Sequence, residues 1–176
     1  MSRILVLYAS REGQTRRIGE RLQKIMVQQG HTPMLMSFAE AGDLDVSVFD
    51  MIVMGASVHY GKHPVLVAQF IQRHRLLLAR KPNAFFSVNI VARKPEKSQP
   101  DTNPYLIRFL QQMAWTPKLV AVFAGKLDYP SYRFFDRLMI RLIMFMTKGP
   151  TDPAAVIEFT DWLQVDAFAR RVSQMA

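Results

Sequence analysis

There is no cysteine among the 176 residues, so disulfides, thiolate nucleophiles, iron–sulfur clusters and cysteine-ligated zinc are excluded by inventory. Any redox chemistry in this chain needs a bound organic cofactor, and no metal site is expected. No apolar run approaches the roughly 18 uninterrupted residues that a membrane-spanning helix requires. The opening Met-Ser-Arg leads straight into Ile4 to Tyr8, too short for a signal-peptide core and without a small-residue cleavage site, so a cytoplasmic location is expected. Acidic residues are scarce, 14 against 23 lysines and arginines, for a net charge of +9. A surface that basic collects anions: nucleic acid, phospholipid headgroups or small polyanions. Nucleic acid is the weakest of these, since neither a helix-turn-helix signal nor an aromatic-lined groove accompanies the charge.

What is present is a 49% hydrophobic composition, enough for one substantial core in a chain too short for two comfortable domains. Residues 1–176 therefore read as a single domain. Ile4 to Ala9, Pro33 to Phe38, Met51 to Ala56, Ala84 to Ala92 and Leu119 to Ala124 are short apolar runs bounded by polar or turn residues, the pattern of buried strands. Helical spacing fills the gaps, with Ile18, Leu22, Ile25 and Met26 first and Trp162, Leu163, Val165, Phe168 and Val172 last. Five strands alternating with helices imply an α/β three-layer sandwich around a parallel sheet, expected in the order 2-1-3-4-5. A receiver-type domain of the same order would need clustered carboxylates after the first strand to hold magnesium. Leu7, Tyr8 and Ala9 stand there instead.

In such a sheet ligands sit at the carboxyl ends of the strands, where the order reverses. The loop after the first strand is Ser10, Arg11, Glu12, Gly13, Gln14 and Thr15. It offers two hydroxyls, a helix N-terminus and a glycine that lets backbone approach a phosphate. It matches neither the Gly-x-Gly-x-x-Gly dinucleotide loop nor the Walker loop, so a monophosphate such as FMN is the expected cofactor. Ser57, Val58, Tyr60 and Gly61 follow the third strand, and Ser87, Val88, Asn89, Ile90, Val91 and Ala92 belong to the fourth. These two segments are suited to the two edges of a flat ring. His59, Tyr60 and His63 are nearby candidates for proton handling, with none assigned.

Residues Gly55 to Gly61, Ser87 to Lys97, Thr102-Asn103 with Tyr105, Asp136 to Ile140, and Thr160 to Trp162 closely resemble the menaquinone-dependent protoporphyrinogen dehydrogenases, a branch of the long-chain flavodoxins. The resemblance spans most of the chain. It implies a flavodoxin-like fold, FMN as cofactor, and haem-pathway oxidation of protoporphyrinogen IX with electrons passing to a membrane quinone, menaquinone or ubiquinone. His59 and Lys62 stand where relatives carry arginine and histidine, so no role for His59 carries over by analogy. A flavodoxin-like NAD(P)H:quinone reductase and a one-electron carrier are the alternatives.

Two further segments bear on substrate and location. Arg93, Lys94 and Lys97 lie just past a strand end, where cations could hold the two propionates of a tetrapyrrole through charge-assisted pairs. Gly125 to Thr160 exceeds what a connection between the fifth strand and last helix needs, and reads as an insertion. Its centre is a basic amphipathic helix, with Arg133, Asp136, Arg137, Arg141 and Lys148 opposite Phe134, Phe135, Leu138, Met139, Leu142, Ile143, Phe145 and Met146. That apolar face is expected to contact the inner-membrane surface or a membrane-associated partner, making the protein peripheral on the cytoplasmic side. Packing against the domain, or in a homo-oligomer, is left open.

Overall fold

Ile4, Leu5, Val6 and Leu7 are consecutive and all fully buried. Neighbours in a strand point to opposite faces, so the strand they form is covered on both sides. The computed structural model describes residues 1–176 and shows how. Strand β1 (Arg3–Ala9) lies between β2 (Thr32–Ser37) and β3 (Met51–Ser57), and β4 (Asn83–Val88) and β5 (Leu119–Phe123) complete a parallel sheet in the order β2-β1-β3-β4-β5. This is the expected order.

The two faces follow the parity of β1. Ile4 and Val6 join Ile18, Leu22 and Met26 of α1 (Gln14–Gln28) with Val165, Phe168 and Val172 of the C-terminal helix. Leu5 and Leu7 join Phe70 and Ile71 of α2 (Val65–Arg73), Leu78 of α3 (Arg75–Arg80) and Leu106 and Phe109 of α4 (Pro104–Met113).

Gly55 sits beside Phe86 in the β3–β4 register, where a Cβ would fall 2.0 Å from the Phe86 ring. The missing side chain lets that buried ring lie across the strand. Gly55→Ala is expected to lower unfolding stability by about 1–3 kcal/mol, the usual cost of overpacking, as a shift in urea midpoint. An unchanged midpoint would contradict this packing.

The expected fourth strand, Ala84 to Ala92, is too long by four residues. Pairing stops at Val88, because the Asn89 side chain accepts the Ala92 N–H at 3.2 Å and turns Ile90–Arg93 into a 3-10 turn. An asparagine that bonds its own backbone competes with a strand ladder. The insertion holds a small antiparallel sheet of β6 (Lys126–Asp128) and β7 (Val156–Glu158) enclosing α5 (Phe134–Met146), with its own core of Leu127, Tyr129, Tyr132 and Met144. Helix α6 (Trp162–Met175) follows, its first turn capped by Asp161. No helix is long and apolar enough to cross a membrane.

Candidate active site

Gly13 is the N-cap of α1 with φ 85°, and no side chain caps the helix. The first-turn N–H groups therefore have no carbonyl partner within the helix. Beside them, the hydroxyls of Ser10 and Thr15 are buried without any hydrogen-bond partner. Two orphaned hydroxyls in a native fold call for an explanation. Together with the free N–H groups and the positive end of the helix dipole they fit a phosphate. Gln14 pins the loop from behind, donating to Glu158 at 3.0 Å and Thr160 at 2.8 Å.

From this cradle opens a cleft of about 390 Å³. Of the residues expected at the cofactor site, Ser10, Arg11, Glu12, Gln14, Thr15, Ser57, Val58, Tyr60, Gly61, Val88, Asn89, Ile90 and Val91 line it. Gly13 shapes the loop without lining the cleft, and Ser87 and Ala92 are buried behind it. Tyr60 (φ 48°) and Gly61 (φ 76°) form a tight turn closed by reciprocal His59–Lys62 backbone bonds of 2.9 and 3.1 Å. Across from them, Asn89 is held in a buried amide network with Ser87 and Asn103. Flat apolar walls between two rigid loops suit an aromatic ring system.

Several lining residues come from segments where no site was expected: Tyr105 of α4, Gly125, Lys126, Leu127 and Tyr132 of the insertion, and Met139, Ile140 and Ile143 of α5. Asn103-Pro104 was the signal for Tyr105. The asparagine caps α4, accepting from the Leu106 N–H at 3.2 Å, and thereby aims the tyrosine at Gly61. No sequence signal marked Tyr132, because its place depends on how the insertion folds back.

Arg93, Lys94 and Lys97, expected to meet the substrate, do not line this cleft. The Arg93 guanidinium donates to the Ile90 carbonyl at 3.1 Å and to Thr147 Oγ1 at 2.9 Å, tying the strand-four loop to the end of α5. Burial holds its pKa below the usual arginine value. The cations at the cleft are Arg11 and Lys126.

At the mouth, Asp136 of α5 accepts from Arg11 at 3.0 Å and from the Tyr60 hydroxyl. The Tyr60 bond, and then the Arg11 charge, hold its carboxyl below the ordinary range. His59 Nε2 accepts from Arg11 and so is neutral, its pKa lowered by burial and by that charge. His63 lies behind the wall, 2.9 Å from the Ser87 hydroxyl, with burial pushing its pKa down to about 4. Each of the three proton-handling candidates is thus bonded through one atom to a neighbouring side chain. The one carboxyl lining the cleft is Glu12, raised by burial despite a 3.3 Å bond from Tyr132.

A carboxyl raised above its unfolded value contributes stability while protonated and loses it as pH climbs through the folded pKa. Glu12→Gln is therefore expected to raise the melting temperature at neutral pH, with the gain vanishing below pH 4.5, the ordinary value of the group. Melts at both pH values test this; a lower melting temperature at neutral pH would refute it.

Helix α5 has two faces. Ile140, Ile143 and Met139 line the cleft and Met144 is buried, while Phe134, Phe135 and Phe145 are 74%, 78% and 75% exposed. The expected outward stripe is thus divided at one edge: Ile143 belongs to the roof of the cleft, and Met139, 44% exposed, stands between roof and outer face. Phe134, Phe135, Leu138, Leu142, Phe145 and Met146 form the outer face.

A doubly wound sheet with a phosphate cradle at the end of its first strand and a ring-shaped slot at the switch point defines a flavodoxin-type flavin protein. Comparison with known proteins agrees. The flavodoxin domain family matches residues 5–154. Oxidised flavodoxin 1 from Bacillus cereus superposes with a TM-score of 0.58, covering 99% of both chains at 14% identity. Protoporphyrinogen IX dehydrogenase (quinone) of Escherichia coli K12 is 40% identical over 171 residues, 97% of this chain and 94% of that protein. The Leishmania major protein of the same name is 36% identical over 166 residues, 94% of this chain and 72% of its own. The chain belongs to the flavodoxin domain family and, within it, to the protoporphyrinogen IX dehydrogenase (quinone) family.

Proposed function

We propose that this protein oxidises protoporphyrinogen IX through bound FMN in haem biosynthesis and passes the electrons to a membrane quinone, menaquinone or ubiquinone. It does so while resting peripherally on the cytoplasmic side of the inner membrane. The observation that carries the reading is the cleft: a cradle of orphaned hydroxyls opens into an apolar slot, roofed by a helix whose outer face is bare and apolar. The names borne by relatives at 40% identity support the choice of substrate and acceptor.

FMN, when bound, supplies a two-electron acceptor ring. The chain's own residues do the rest. Ser10, Thr15 and the α1 N-terminus would hold the phosphate, and Val58, Gly61 and Ile90 to Val91 face the slot that would take the ring. Leu127, Ile140 and Ile143 exclude water from above. Removing a hydride equivalent from a porphyrinogen bridge also releases a pyrrole N–H proton. Glu12, whose carboxyl is biased towards holding a proton, is the lining residue placed to receive it.

Mixing FMN-loaded protein anaerobically with protoporphyrinogen IX is expected to bleach the flavin absorbance as the porphyrin band rises. A soluble naphthoquinone then restores the flavin band. No bleaching would overturn the reading.

A further inference from the structure

A second cleft of about 560 Å³ lies on the far side of the Ser57–His59 wall. Ser10, Arg11, Ser57 and His59 line both cavities, so the two clefts adjoin along these residues. No carboxylate is among its lining residues, and its charged side chains are the cations Arg11 and Lys62. Phe38, Ala39, Pro64, Val65 and Leu66 give it an apolar wall beside the hydroxyls of Ser10, Ser37 and Ser57, and Val65 and Leu66 stand 70% and 50% exposed at its rim.

His63 adds a donor. Ser87 is fully buried, and its hydroxyl accepts from Asn89 Nδ2 at 3.2 Å. The only other group bonded to it is His63 Nε2, at 2.9 Å. A buried hydroxyl proton left unpaired is costly, so Ser87 donates to Nε2. The imidazole therefore carries its own proton on Nδ1, where it makes no hydrogen bond to the protein.

We infer that this second cleft is the quinone site, separate from the flavin cleft that takes the porphyrinogen. The inference rests on the proposed function and divides its two substrates by hydrogen-bond chemistry. A quinone brings two carbonyl acceptors, no donor and an apolar tail, and this cleft offers cationic and imidazole donors, apolar walls and an apolar rim. A porphyrinogen brings four N–H donors, and Glu12 stands in the other cleft. With FMN bound in the first cleft, two electrons would cross between the clefts past Ser57 and His59, and the proton released on flavin reoxidation would pass to solvent. The quinone takes two protons from solvent at the open mouth and leaves as the quinol.

Leu66→Asp and Lys62→Glu test this at exposed positions outside the flavin cleft. In calorimetry with menadione and oxidised FMN-loaded protein, each substitution is expected to weaken binding at least ~10-fold. Flavin content and the rate of bleaching by protoporphyrinogen IX stay at wild-type values, and protoporphyrin IX does not displace the naphthoquinone. Wild-type binding that both substitutions leave intact, or that porphyrin abolishes competitively, would overturn the separate site alone. A wild-type protein that neither binds menadione nor is reoxidised by it would overturn the quinone reading as well.

Discussion

Gly13→Asp is expected to yield folded protein without flavin. The residue caps α1 at φ 85° with nothing within 4 Å of where its Cβ would stand, so a side chain fits. The left-handed backbone costs on the order of 1 kcal/mol for a residue other than glycine, least for aspartate and asparagine. An N-cap aspartate accepts from the free N–H groups and favours the helix dipole, offsetting that strain in the apo protein. The same features turn against the cofactor, because the carboxylate now occupies the electrostatic position the phosphate needs. Two unit charges roughly 5 Å apart in an effective dielectric of ~20 repel by about 3 kcal/mol, which corresponds to more than 100-fold in affinity. Gly13→Asn carries the same shape and strain without the charge, and is expected to keep FMN within about 10-fold of wild type. Flavin absorbance per protein, with melting of the stripped protein, separates the outcomes. Equal flavin content in both variants would remove the phosphate from this loop.

The parts of the site legible in sequence are those built from contiguous residues. Ser10 to Thr15 forms its cradle locally, and the Val58–Gly61 turn and the Asn89 loop lie at strand ends that alternation alone locates. Strands β1, β3 and β4 were legible because parallel strands buried on both faces are continuous apolar runs. What sequence could not place depends on chain segments meeting from afar. Arg93 lies three residues from the cleft-lining Ile90, yet its long side chain turns to Thr147 of the insertion. The apolar residues of α5 share one helical pattern, and only the packed structure divides them into a cleft roof and an outer face. Asp136 reads as one charge on a basic helix, but folding brings it to Arg11 and Tyr60, 125 and 76 positions away. The two-stranded β6–β7 sheet escaped because three-residue strands show no periodicity to read.

The outer face of α5 carries the second large effect. Phe134, Phe145, Leu138, Leu142, Phe135 and Met146 project over an arc of about 120° at 100° per residue, and each is more than half exposed. Arg141 borders this arc, Lys148 follows just past the end of the helix, and both are exposed. Residues already exposed contribute little to folding, so replacing Leu138, Leu142 and Phe145 together by serine is expected to leave flavin content and melting temperature nearly unchanged. If the face enters the headgroup layer, each side chain contributes about 1.5 kcal/mol on burial. The triple variant then loses about 4 kcal/mol, roughly a thousandfold in vesicle partitioning. Arg141 and Lys148 add about 1 kcal/mol each on anionic lipid, and that part fades with salt as screening shortens the Debye length. Wild-type protein is therefore expected to sediment with anionic vesicles at low salt, more weakly at high salt, and the triple variant at neither. A second copy of the chain covering the same face would instead make the wild type dimeric in sedimentation velocity without lipid and the variant monomeric. Since Met139 and Ile143 continue from this face into the roof of the flavin cleft, membrane docking would set the mouth of that cleft at the lipid surface.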